Sequence, residues 1–216
     1  MEDLSAALVE AAWERVLENA GGPGVDGVTV ERFAQSAATL LPELRQQVMD
    51  GSYFSLPLRK IVVQKRPGSD ETRSLHVPAV RDRVAQTAVA RMMSRSFEEE
   101  FLESSYAYRA NRGVDRAIAR IQQLRERGYE WVVDGDITAY FDNVSHRMLL
   151  ERLAEDEGMN KELLPVVRQW VKASIWDGHT VERIRRGIAQ GSPISPLLAN
   201  YYLTPLDVAL SRGITS

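Results

Sequence analysis

No cysteine occurs among the 216 residues, which excludes disulfide frameworks, thiolate nucleophiles and zinc-thiolate clusters. Long apolar runs are also missing. No stretch approaches the roughly 20 residues needed to span a bilayer, and the opening MEDLSAALVEAAWERVLENAGG lacks the basic flank and unbroken apolar run of a secretory signal. These absences predict a cytoplasmic protein without membrane association. What is present is an ordinary globular composition, 44% hydrophobic and 26% charged, sufficient for the core of one large domain or two small interleaved ones.

Charge is unevenly distributed. Residues 1–50 carry 3 basic and 9 acidic side chains, residues 51–127 carry 15 and 9, and residues 128–216 carry 9 and 12. A basic centre flanked by acidic ends fits a polyanion footprint or a solvated, arginine-rich helix face, so the placement of the arginines has to decide.

Apolar spacing predicts a helix over Leu4–Asn19, stopped by Gly21, Gly22 and Pro23. The link GGPGVDG leads to Thr29 as N-cap of a short helix, and Pro42 is expected to open another that ends at Gly51. Leu58–Gln64 and Thr72–Val77 are β-branched runs around the turn KRPGSDE, a hairpin with a basic tip. Helical spacing returns over Val80–Phe97 and Val114–Arg127. Tyr129–Ile137 (YEWVVDGDI) has the character of a buried strand whose carboxylates arrive at its C-terminal end, where α/β folds place chemistry. Ser145 and Asn160 are candidate caps of two further helices, the second with Leu163, Val167, Trp170 and Ile175 in its apolar set. GIAQGSPISP is a loop that opens a last apolar helix.

Three features carry candidate chemistry. Asp136 leaves the expected strand and Phe141 follows five residues later. A carboxylate beside a flat ring suits a site where Mg²⁺ is held by oxygens next to a sugar and base, although an isolated Asp at a strand end is more commonly a cap. Gly187–Pro196 contains Gln190 and Gly191, where glycine permits close approach to a ligand; a plain helix-opening loop reads the same way. Lys65 and Arg73 lie on the two sides of the hairpin, as solvated edge charges or as a clamp on a triphosphate.

The order of these features is more specific than any one of them. A basic hairpin, then FEEEFLESSYAYRANRG, DGDITAYFDNVSH and GIAQGSPISPLLANYYL resembles the reverse transcriptase family, most closely its bacterial group II intron-like branch, over about Val25 to Leu210. GGPGVDGVTVERF is similar to the extra N-terminal segment of that branch. The resemblance implies an α+β fold, the fingers and partial palm of a right-hand polymerase, helix-rich with a β-hairpin and a small antiparallel palm sheet. Fingers are expected over 1–78 and 146–190, palm over 79–145 and 191–216. It implies an RNA-directed DNA polymerase using two Mg²⁺ ions, an RNA template, a DNA or RNA primer and dNTPs. Asp136 becomes a catalytic metal ligand, with the carbonyl of Ile137 as a second contact. Phe141 becomes the ring that rejects a ribose 2′-hydroxyl, Lys65 and Arg73 the triphosphate grip, Gln190 and Gly191 the loop beside the nucleotide, and Arg109 a residue near the template path.

The chain departs from the family pattern at SYAYRANRG, where the usual glycine and proline are replaced, and at Pro205, which is expected to end the last helix or cost roughly 3 kcal/mol. The family's aromatic-Ala-Asp-Asp motif is not found before Ser216. The chain therefore reads as fingers and the N-terminal part of the palm, inactive alone and prone to pair with a second copy through an uncovered strand edge. A non-catalytic RNA-binding or assembly module on the same fold is the alternative. An RNA-dependent RNA polymerase is a further rival, one that would favour a smaller residue at position 141.

Overall fold

The computed structural model describes residues 4–213. Helix α1 (Ala6–Asn19) is capped by Ser5, whose side chain accepts from the Leu8 amide. Thr29 caps α2 (Val30–Ala34) in the same way through Arg32. The next helix, α3 (Ala37–Asp50), begins before Pro42 rather than at it, and closes on Gly51 in the left-handed region. Trp13 and Phe33 pack with ring centroids 5.0 Å apart.

The hairpin forms as the residue pattern predicts, with β1 (Leu58–Gln64) antiparallel to β2 (Thr72–Val77). Helix α4 (Val80–Phe97) is the centre of the molecule. It buries even Asp82, Arg83 and Gln86, whose side chains bond to neighbouring elements, although Arg83 Nε is left without a partner. Tyr53 donates its hydroxyl to Asp82 at 2.6 Å and the Leu56 amide donates at 3.0 Å, while Trp170 donates to the Tyr53 oxygen at 3.0 Å. Burial raises the Asp82 carboxyl above its usual range and raises the Tyr53 phenol. Arg83 donates to the carbonyls of Ala20 and Gly22, both at 3.0 Å, which fastens the GGPG link to the core.

Beyond α5 (Val114–Glu126), residues 129–137 form neither helix nor strand. This corrects the expected buried palm strand. Trp131 and Val133 are 95% and 97% exposed, because no neighbouring strand among the described residues lies beside them to complete a ladder. Short α6 (Tyr140–Asn143) and α7 (His146–Glu155) follow, the latter capped by Ser145. Asn160 caps a 3₁₀ turn (Lys161–Leu163) that leads into α8 (Leu164–Val171). Ile175, expected in that helix, instead lies in β3 (Ser174–Trp176), which pairs parallel to β1 and antiparallel to β4 (Val181–Arg183). The sheet order is β2-β1-β3-β4, a small mixed sheet in a helix-rich α+β fold.

Helix α9 (Ser195–Gly213) runs through Pro205 without ending there. One hydrophobic core joins α1, α3, α4, α7, α8 and α9, with Phe97 and Tyr201 stacked at 4.3 Å. Among the described residues no helix is long and apolar enough to cross a membrane.

Candidate nucleotide site

The site is assembled where the α6 turn meets the loop before α9. Ala139 takes a left-handed conformation, φ 48°, and the Asn143 side-chain amide donates to the carbonyls of Thr138 and Ala139 at 3.2 and 3.1 Å. These contacts reverse the chain just after Asp136 and Ile137. The Tyr140 hydroxyl donates to the Ala199 carbonyl at 2.6 Å, pinning the turn to α9. Phe141 meets Tyr140 edge to face at 5.9 Å.

The 186–192 loop lies directly on this turn. Amides of Gly187 and Ile188 donate to the carbonyls of Val144 and Phe141, both at 2.8 Å, and His146 Nε2 bonds the Gly187 carbonyl at 2.6 Å. Gly187 has φ +87°, and a Cβ there would fall 2.8 Å from the Asp142 backbone, so only glycine allows the contact. Three residues on, the Gln190 side-chain amide donates to Asp142 at 3.3 Å, while its carbonyl accepts from the His76 amide at 2.8 Å. Gly191, at φ +108°, sits where a Cβ would come 3.1 Å from the His76 carbonyl. Ser192 is buried and donates to Gln86 of α4 at 2.6 Å. The Gly/Ser motif is thus a structural clamp that also carries Gln190 to the free edge of β2.

The hairpin therefore joins the site at its base. Its register opposes Val63 to Arg73 and Lys60 to His76, and the Lys65 amide continues the ladder to the Glu71 carbonyl at 2.8 Å. Strand alternation then puts Lys65 and Arg73 on one face, and Lys60 and His76 on the other. Lys65 is paired with Glu71 at 2.8 Å in solvent, which holds the Glu71 carboxyl below its usual range. Arg73 is exposed and has no ion-pair partner among the described residues.

Asp136 is exposed and bonded to no other side chain among the described residues. Among those residues no group of three or more His, Asp or Glu is gathered for a metal. The Asp136 carboxylate and the Ile137 carbonyl offer oxygen donors, the type that magnesium takes in a near-octahedral set that retains waters.

Arg109 is not in this cluster. Its side chain is 3% exposed and pairs with Glu98 at 2.6 Å. Its guanidinium also donates to the carbonyls of Leu102 and Ser105 at 2.6 and 2.8 Å and lies over the Phe101 ring at 5.2 Å. Those bonds supply the loop shape that the missing glycine and proline had left open. The arginines of the basic centre divide accordingly. Arg83 and Arg109 are buried, and Arg81 and Arg112 bond backbone carbonyls. Arg116, Arg120, Arg125 and Arg127 stand exposed on or just after α5.

Residues 63–215 match the family model "Reverse transcriptase (RNA-dependent DNA polymerase)". The chain belongs to the reverse transcriptase family. It is 34% identical over 198 residues to protein YkfC of Escherichia coli (strain K12), covering 90% of this chain and 51% of that protein. It is 28% identical over 198 residues to the group II intron-encoded protein LtrA of Lactococcus lactis subsp. cremoris, covering 91% and 32%. This agrees with the group II-like resemblance. The structure of a partial Cas6-RT-Cas1–Cas2 complex shares the fold at a TM-score of 0.57 and 24% identity, over 97% of this chain and 34% of that one. This reverse transcriptase chain spans about half the length of YkfC and a third of LtrA.

Proposed function

We propose that this chain supplies the nucleotide-binding part of an RNA-directed DNA polymerase, which extends a DNA or RNA primer with dNTPs on an RNA template. The observation that carries the reading is Gln190, bonded at once to the α6 turn and to β2. Through it, the basic hairpin and the Asp136–Phe141 segment border one loop. Lys65 and Arg73, on a shared face, fit a triphosphate as a point charge and a planar fork. Phe141 bounds the sugar, where a ring leaves no room for a 2′-hydroxyl. Asp136 and the Ile137 carbonyl are the proposed magnesium ligands, and the ion when bound supplies positive charge against the phosphate being transferred. The exposed α5 arginines fit a sequence-tolerant, salt-dependent contact with template phosphates. Arg109 serves the template path through the loop it holds. In the proposed division, fingers take 1–78 and 146–190 and palm takes 79–145 and 191–216.

Primer extension on an RNA template tests this, run with the 216-residue chain and with a longer chain continuing to the length of its relatives. Extension with dNTPs by the longer chain and none by the shorter is expected. In the longer chain Phe141→Ala should raise rNTP use relative to dNTP by tenfold or more, on the order of 1.4 kcal/mol in discrimination. An unchanged ratio in an active variant rejects the sugar role. RNA binding without extension in the longer chain favours the non-catalytic reading.

A further inference from the structure

His76 belongs to no motif of the site, yet the Gln190–Gly191 loop rests on it. Its amide donates to the Gln190 carbonyl at 2.8 Å, and its own carbonyl is the atom that Gly191 approaches without a Cβ. Its Nδ1 is enclosed and has no hydrogen-bond partner. Lys60 is its cross-strand neighbour on β1, and Asp142 of α6 is the carboxylate that acts on it. Gln190, whose carbonyl accepts from the His76 amide, and Gly191, which packs on the His76 carbonyl, carry no charge.

We infer that His76 is a positioning residue whose neutral imidazole is required for the Gln190–Gly191 loop to dock on β2, so that the placement of Gln190 is linked to a proton. An imidazolium must donate from both nitrogens, and an Nδ1–H enclosed without an acceptor carries an uncompensated desolvation cost. Lys60 adds repulsion. Undocking removes the desolvation cost, because Nδ1 then reaches water, whereas Lys60, fixed across the strand pair, repels the cation in either state. Burial foremost, then Lys60, holds the imidazole below its ordinary range, against the opposing pull of Asp142. The sign follows. A histidine with a lowered folded value contributes docking stability in full above the ordinary value of about 6.5, and loses it as pH falls through the folded value. The consequence for nucleotide binding rests on the function proposed above; the proton linkage does not.

The chain has three histidines, so imidazole resonances can be followed by NMR across pH, with His76→Gln to assign the signal. His76 should titrate below about 6.5. Its amide should be protected from hydrogen exchange above that midpoint and lose at least tenfold in protection factor below it. In His76→Gln the residue 76 amide should stay protected throughout. Gly191→Val, which forces the loop off β2, should move the His76 midpoint up towards the ordinary value. A wild-type midpoint at or above 6.5, or equal loss of protection in His76→Gln, overturns the inference, and either result can be read even if Gly191→Val fails to fold. Binding of dATP is scored separately. Absence of dATP binding at any pH, with the linkage intact, counts against the proposed function alone.

Discussion

Arg152 donates through Nη1 to the carbonyl oxygen of Tyr201 at 2.5 Å, and that is the carbonyl Pro205 leaves without its helical donor. A proline inside a helix removes one i to i−4 bond; here an arginine from α7 restores it from outside. The same guanidinium lies 4.0 Å over the Tyr201 ring and reaches Glu100 at 3.2 Å. Tyr201 in turn donates to Asp156 at 2.6 Å. Pro205 is tolerated because α7 and α4 close around the gap.

Arg152→Ala should therefore destabilise the chain by about 1.5–3 kcal/mol, the range for a hydrogen bond to a charged group. Pro205→Ala in the same background should recover part of it, since the restored amide bonds the Tyr201 carbonyl again. Chemical denaturation of the two single variants and the double variant measures the coupling. Strict additivity would show that Arg152 does not compensate for Pro205.

Gly187→Ala should be more damaging than its size suggests. The methyl group would lie 2.8 Å from the Asp142 backbone at a φ of +87°, and strain in that region alone costs about 1–3 kcal/mol. The α6 turn and the loop should separate, removing protection from the amides of Gly187 and Ile188, whose bonds run to Val144 and Phe141. Hydrogen exchange reads this directly. Retained protection in the variant would place the site's rigidity elsewhere.

Asp82 gives a pH dependence of definite sign. Burial raises its carboxyl in the folded chain, so the folded state holds the proton more tightly than the unfolded state. Its contribution is greatest in acid and declines as pH rises through the folded value. Comparing unfolding free energies of wild type and Asp82→Asn from about pH 4 to 7 should show the wild-type advantage shrinking towards pH 7. An advantage that grows with pH would mean that Arg81, 3.5 Å away, outweighs burial.

Local periodicity was sufficient for the hairpin and for most helices, because their signals lie within the segments themselves. Thr29, Ser145 and Asn160 cap the helices that their positions suggest. Two short strands were not legible. Ser174–Trp176 continues the apolar pattern of α8, and its strand identity comes from parallel pairing with β1, far away in sequence. The continuation of α9 through Pro205 depends on Arg152, another distant partner. Of the site, residue types and order named Asp136, Phe141 and Gln190, but not what holds Gln190. The contacts with Asp142 and His76 cross 48 and 114 positions of sequence, and no local pattern encodes them.

Residues 129–137 read as a buried strand on the strength of Trp131, Val132 and Val133, and it is this apolar character that exposure now turns into a surface. Trp131, Val132 and Val133 are 95%, 82% and 97% exposed, and α5 adds Val114, Ile118 and Ile121 at helical spacing, 74%, 49% and 61% exposed. A segment in no strand that carries bare apolar side chains offers a second chain a surface to cover. Burying one valine side chain fully is worth about 1.5–3 kcal/mol, so a symmetric contact using these residues from two copies gains several times that. The 216-residue chain should show concentration-dependent mass at micromolar levels by light scattering. Trp131→Ser with Val133→Ser should weaken association by at least tenfold, about 1.4 kcal/mol, without lowering the stability of the core that those residues do not enter. A strictly monomeric mass in the wild type would overturn the expectation. Association untouched by the double change would move the contact to the α5 stripe.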